Sequence, residues 1–128
     1  IVAVIAVALV FGALDAVWLS WAGPNFYRPK LGDLLSDSFR MAPALVFYAA
    51  YVAAVVWFAV RPGLAQGLAA AALNGALLGA TCYATYDLTN QATMRTWSTA
   101  VTVADIAWGA FATALAASAA TLAADKFG

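Results

Sequence analysis

The chain contains no histidine and a single cysteine, and charged residues occupy only 9% of its 128 positions. Without histidine, the commonest ligand for protein-bound transition metals and the commonest general base near neutral pH are both missing. Haem ligation, di-iron chemistry and Ser-His hydrolysis drop out, and no metal site is expected. Cys82 alone forms neither an internal disulfide nor a Cys-rich metal site. No activating neighbour marks it as a reactive thiol, so it reads as a small buried residue. Six Lys plus Arg balance six acidic residues, leaving neither a basic face for nucleic acid nor an acidic tail. Nucleic-acid partners are excluded on this ground. What the chain has in abundance is apolar surface: 66% hydrophobic residues and a mean hydropathy of +0.88, a composition suited to a bilayer.

A spanning helix needs about 20 mostly apolar residues, because roughly 30 Å of hydrocarbon is crossed at 1.5 Å per residue. Four segments qualify. The first runs from Ile1 to about Ala22 and is expected to end at Gly23-Pro24; the second runs from about Ala42 to Val60 and is expected to end at Arg61-Pro62-Gly63. The third begins at Gly63 or Leu64 and reaches about Asn90. The fourth begins at Ser98 or Thr99, with Ser98 as its N-cap, and reaches about Ala124. The first is not a secretory signal peptide, since Asp15 interrupts its apolar run. The expected fold is all-α: one domain over residues 1–128, an integral membrane bundle of four helices running up-down-up-down.

The connection from Gly23 to Met41 is the only long one and carries Arg28, Lys30, Asp33, Asp37 and Arg40. Within it, Leu31, Leu34, Leu35 and Phe39 recur at helical spacing opposite Asp33, Ser36 and Asp37, so a short interfacial helix is expected over Leu31 to Phe39. Arg28, Lys30, Arg40 and Arg95 fall on the long-loop side and only Arg61 and Lys126 on the other. The excess leans toward a cytoplasmic long loop.

The most informative pattern is a palindrome of spaced pairs: Asp15 and Trp18 in helix 1, Tyr48 and Tyr51 in helix 2, Tyr83 and Tyr86 in helix 3, Asp105 and Trp108 in helix 4. Residues three apart share a helix face. Counted from the expected helix ends, all four pairs lie roughly 9 to 14 Å inward on the long-loop side, which predicts one polar, aromatic layer in one leaflet. Asp15 and Asp105 are then acids within hydrocarbon, functional candidates that must face protein or a water-filled cavity. If close together, they could not both ionise easily. The bland alternative is that they are interhelical glue.

Helix 3 carries Gly67, Ala71, Gly75, Gly79, Tyr83 and Asp87 at every fourth position, a stripe of small residues ending in a tyrosine and an acid. Gly75 and Gly79 permit close helix contact, chiefly within the bundle. Tyr83, Tyr86, Asp87 and Asn90 form a polar stripe at the end of that helix, with Asp87 expected near the water boundary. Trp21, Phe26, Tyr27 and Trp97 sit at span boundaries and read as interfacial anchors.

The segments Leu14-Asp15-Ala16-Val17-Trp18-Leu19, Phe26-Tyr27-Arg28, Phe47-Tyr48-Ala49-Ala50-Tyr51, Tyr83 through Thr93, and Asp105-Ile106-Ala107-Trp108-Gly109 resemble a bacterial family of predicted membrane proteins known as domain of unknown function 2177. The resemblance covers almost the whole chain. It implies a four-helix, multi-pass protein of the bacterial inner (cytoplasmic) membrane, carries no established activity, and leans toward lipid chemistry.

Three functions compete. The first is a lipid or small apolar ligand site, with Asp15, Asp87 and Asp105 as polar anchors, Tyr48, Tyr51, Tyr83, Tyr86 and Asn90 orienting the ligand's head, and Trp18 and Trp108 as walls. The second is an accessory subunit whose small-residue faces dock other membrane proteins. The third is a proton-coupled transporter, which with four helices would have to pair with a second copy. No cofactor is called for, although a lipid, quinone or carotenoid would fit such surroundings. Whether a reaction is catalysed stays open, because no residue stands out as a nucleophile.

Overall fold

The computed structural model describes residues 1–32 and 41–128. Four helices long and apolar enough to cross a membrane account for almost all of them: α1 (Val2–Leu31), α2 (Met41–Gln66), α3 (Leu68–Thr93) and α4 (Thr99–Phe127). No strand occurs among the described residues. The chain is therefore an all-helical, multi-pass integral membrane protein. The interfacial helix expected over Leu31 to Phe39 lies outside the described residues from position 33 onward, and Leu31 itself is the last residue of α1.

Two expected boundaries are corrected. Helix α1 does not stop at Gly23-Pro24 but continues to Leu31, through a π-helical turn over Gly23–Tyr27. Helix α2 does not stop at Arg61-Pro62-Gly63 but continues to Gln66, with a π-helical turn over Val56–Val60. Each wide turn is followed by Arg-Pro: Arg28-Pro29 in one case and Arg61-Pro62 in the other. The arginine amide bonds five residues back, Arg28 N–H to the Gly23 carbonyl and Arg61 N–H to the Val56 carbonyl. A proline ring in a regular helix collides with the carbonyl four residues earlier; widening the preceding turn makes room for it. Freed acceptors are recovered locally, as where Asn25 Nδ2 donates to the Trp21 carbonyl at 2.8 Å.

The second connection is consequently a single residue. Gly67, at φ +110°, turns α2 directly into α3, a conformation other L-residues rarely adopt. The third connection spans Met94 to Ser98. Ser98 caps α4 as expected, its hydroxyl accepting from the Val101 amide at 3.3 Å. Gln91 and Thr102 complete the junction: Trp97 Nε1 donates to Thr102 Oγ1 at 3.0 Å, and Thr102 Oγ1 donates to Gln91 Oε1 at 2.9 Å. These bonds fix Trp97 over the end of the bundle.

The principal seam joins α3 to α4 and is built from small side chains. Ala71, Gly75 and Gly79 of α3 are buried, opposite the fully buried Ala112, Ala116, Ala117 and Ala120 of α4. A methyl group at Gly75 would come within 2.9 Å of the Thr113 carbonyl, and one at Gly79 would collide with the Gly109 carbonyl. The glycine stripe thus serves packing within the bundle, where van der Waals contact replaces the hydrophobic effect as the glue. Helix α1 packs on α4 through Val7 and Phe11, and α2 meets the core mainly through Val55, Ala59 and Val60. Large apolar residues such as Leu9, Val17, Val46, Phe58, Leu77 and Phe111 remain exposed, as a lipid-facing surface requires.

Candidate functional site

The paired residues other than Tyr86, which is 61% exposed, converge on the interior, in two tiers rather than the single layer expected. Tyr51 sits in the lower tier, its hydroxyl 2.7 Å from Thr113 Oγ1, and Tyr48 donates to the Ala8 carbonyl beside Gly12. Thr113 lies two turns beyond Asp105 on α4, and Ala8 two turns before Asp15 on α1. At 1.5 Å per residue, Ala8 and Thr113 lie roughly 10 to 12 Å along their helices from the acids, with the Tyr48 hydroxyl against Gly12, between Ala8 and Asp15. The single-layer expectation failed because depth was counted from helix ends, and the ends are not level once α1 runs on past Pro24.

The upper tier holds the acids. Trp18 and Trp108 stack across the α1–α4 interface, with ring centroids 4.8 Å apart and planes 12° from parallel. Trp108 Nε1 donates to Asp15 Oδ1 at a long 3.4 Å. Trp18 Nε1 donates to the Tyr27 hydroxyl at 2.9 Å, and that hydroxyl in turn donates to Asp105 Oδ1. Each tryptophan therefore addresses the aspartate of the opposite helix, one directly and one through Tyr27.

Tyr27 had been read as a boundary anchor, and the structure corrects this. Nine residues of regular helix rotate about 900°, which would put Tyr27 on the face opposite Trp18. The π turn adds a residue and takes back about 100°, bringing the Tyr27 hydroxyl round to Trp18. The turn that accommodates Arg28-Pro29 is thus the device that completes the site. Trp97, also read as an anchor, lines the cavity, with an edge-to-face contact to Tyr86 at 6.1 Å. Trp21, the neighbour of Trp18, remains exposed.

Asp87 is the second correction. Expected near the water boundary, it has no exposed surface at all. Its carboxyl lies against that of Asp105, and neither of its oxygens has a donor among the described residues. Its register explains this: Gly75, Gly79, Tyr83 and Asp87 follow one stripe of α3, the stripe that faces α4. Asp105, 8% exposed, is nearly as enclosed. The close acid pair is Asp87 with Asp105, where the sequence had suggested Asp15 with Asp105.

Between these groups lies a cavity of about 420 Å³, within the range of small-molecule sites. Asp15, Trp18, Tyr83, Tyr86, Asp105 and Trp108 line it. Tyr48, Tyr51, Asp87 and Asn90 do not: the first two belong to the lower tier, Asp87 stands behind Asp105, and Asn90 is half-buried near the end of α3. The remaining wall includes Leu19, Leu31, Phe47, Cys82 and Val101, so Cys82, which packs against the core, also borders the cavity. Tyr83 owes its position to Gly109, where any larger residue would collide with its ring. Among the described residues no three carboxyl or thiol groups converge on a point that could hold a metal ion. The chemistry open to these groups is hydrogen bonding, charge and aromatic contact.

No curated protein and no solved structure matches the chain at a significant level. A family model does match, over residues 1–122, and it takes in all four helices and every residue of the site: the chain belongs to the family described as predicted membrane protein, DUF2177.

Proposed function

We propose that this integral membrane protein binds a lipid or a small apolar ligand in the cavity between α1, α2, α3 and α4, in the cytoplasmic membrane of a bacterium. The observation that carries the proposal is the cavity itself: about 420 Å³, walled by aromatic and aliphatic side chains, with the Asp15 and Asp105 carboxyls and the Tyr27 hydroxyl at one end. A mostly apolar recess with a few placed polar groups is the usual form of a small-ligand site. Asp15, Asp105 and Tyr27 anchor the polar end of the ligand beside Trp18 and Trp108; Leu19, Phe47 and Val101 hold its apolar body.

Native mass spectrometry of the full chain released from gently extracted membranes tests the proposal. A retained lipid or apolar molecule at one per chain is the expected result. A ligand-free chain with a stoichiometric protein partner would instead make it an accessory subunit, and a ligand-free dimer would favour the transporter reading.

A further inference from the structure

Two carboxyl groups reach the cavity and a third stands behind one of them, with too few donors for them among the described residues. Among the described residues Asp15 receives only the distant indole of Trp108, and Asp105 receives the Tyr27 hydroxyl. Asp87, wholly buried against Asp105, receives nothing among the described residues. No Lys or Arg of the described residues lines the cavity. An acid in such surroundings is neutralised by a proton or by a cation. One proton between Asp87 and Asp105 serves that pair, whose carboxyls touch. Asp15 is on the other helix, facing the open space, and is not served by it.

The surroundings of that space select the cation. Trp18 and Trp108 form a stacked pair, and Tyr27, Tyr83 and Tyr86 join them around the two carboxyls that reach the cavity. Aromatic faces attract weakly hydrated organic cations through the ring quadrupole, most strongly where water is excluded. A bare inorganic cation needs a shell of oxygen ligands instead, and no group of three Asp, Glu, His or Cys side chains that could hold one is present among the described residues.

Resting on the reading of this cavity as a ligand site, we infer that it takes the organic ammonium group of an amphiphile, seated between Asp15 and Asp105 against the Trp18–Trp108 pair, with the alkyl chain along Leu19, Phe47 and Val101. An aminolipid headgroup and a free amphiphilic amine share this chemistry.

The test uses the full chain in phosphatidylglycerol nanodiscs and three probes of equal chain length: decyltrimethylammonium, decanol and decanoate. Binding is followed by tryptophan fluorescence and by native mass spectrometry. The ammonium probe is expected to bind at least about tenfold more tightly than either of the others. Asp15→Asn and Asp105→Asn should each remove most of that preference, read as the ratio of the ammonium probe's affinity to that of decanol. Circular dichroism and elution profile confirm folding, and should Asp105→Asn fail to fold, Asp15→Asn alone decides. Equal binding of all three probes overturns the ammonium inference and leaves the apolar-ligand reading standing; no binding of any probe overturns both. In nanodiscs containing phosphatidylethanolamine as well, retention of that lipid and its displacement by decyltrimethylammonium assign the headgroup as the source. Binding of the probe without such retention assigns a free amine. Either result supports the inference.

Discussion

The two polar tiers of the bundle are made from similar materials and end in opposite states. In the lower tier each hydroxyl has its partner: Tyr51 with Thr113, Tyr48 with the Ala8 carbonyl. Phe11, 2% exposed, fills the space between the rings, 5.2 Å from Tyr51 and 6.4 Å from Tyr48. In the upper tier acceptors outnumber donors, one acid is buried without a donor among the described residues, and a cavity opens beside it. Polar groups that satisfy one another bind helices together. Polar groups left in surplus beside empty space are available to something else.

The contrast can be broken in several places. The largest effect is expected for Gly79→Leu, which would drive a side chain into the α4 backbone at Gly109 and part the seam under both tiers. Overpacking of this kind costs about 1–3 kcal/mol or more, and the loss should appear as a large fall in thermal stability together with loss of ligand binding. Next is Tyr51→Phe, which orphans the Thr113 hydroxyl. The expected cost is about 0.6 to 1.7 kcal/mol, as for other interhelical bonds in membranes, read by thermal unfolding with ligand binding preserved. Asp87→Asn has the opposite sign. Its amide supplies a permanent donor to Asp105, where the two acids have one only while they share a proton, and a gain of about 1 kcal/mol in stability is expected at alkaline pH, where that proton is lost. A loss of stability there would show that Asp87 is satisfied as it stands. Tyr48→Phe should have the smallest effect, about 0.5 kcal/mol, since its ring is only part-buried and the Ala8 carbonyl retains its place in the α1 ladder.

The four spans were legible because each is a predominantly apolar run of bilayer length, and length and composition determine such an assignment. Their ends were less legible. In water, Pro24 and Pro62 would be sound stop signals, but in hydrocarbon an ended helix would expose unpaired backbone, so the helices run on through wide turns that make room for Pro29 and Pro62. The convergence of the paired residues followed from spacing. Their division into two tiers did not, because spacing fixes the face of a helix and not its axial offset from its neighbours. Asp87 was misplaced by counting residues from the end of α3, although its membership in the Gly75–Gly79–Tyr83 stripe already put it on the packed face. Tyr27 and Trp97 could not be told from interfacial anchors by residue type. The one local signal was Arg-Pro at positions 28 and 29, whose wide turn rotates Tyr27 toward Trp18.

The central claim is that the upper tier is a site and the lower tier a scaffold. Native mass spectrometry of two double variants, Asp15→Asn with Asp105→Asn and Tyr48→Phe with Tyr51→Phe, tests it most directly when both are extracted from the same membranes as the unaltered chain. The tyrosine pair should retain the bound molecule at full occupancy while unfolding at a lower temperature, and the aspartate pair should lose the molecule while remaining folded. Equal retention by both, or loss of the ligand by the tyrosine pair alone, would contradict the account.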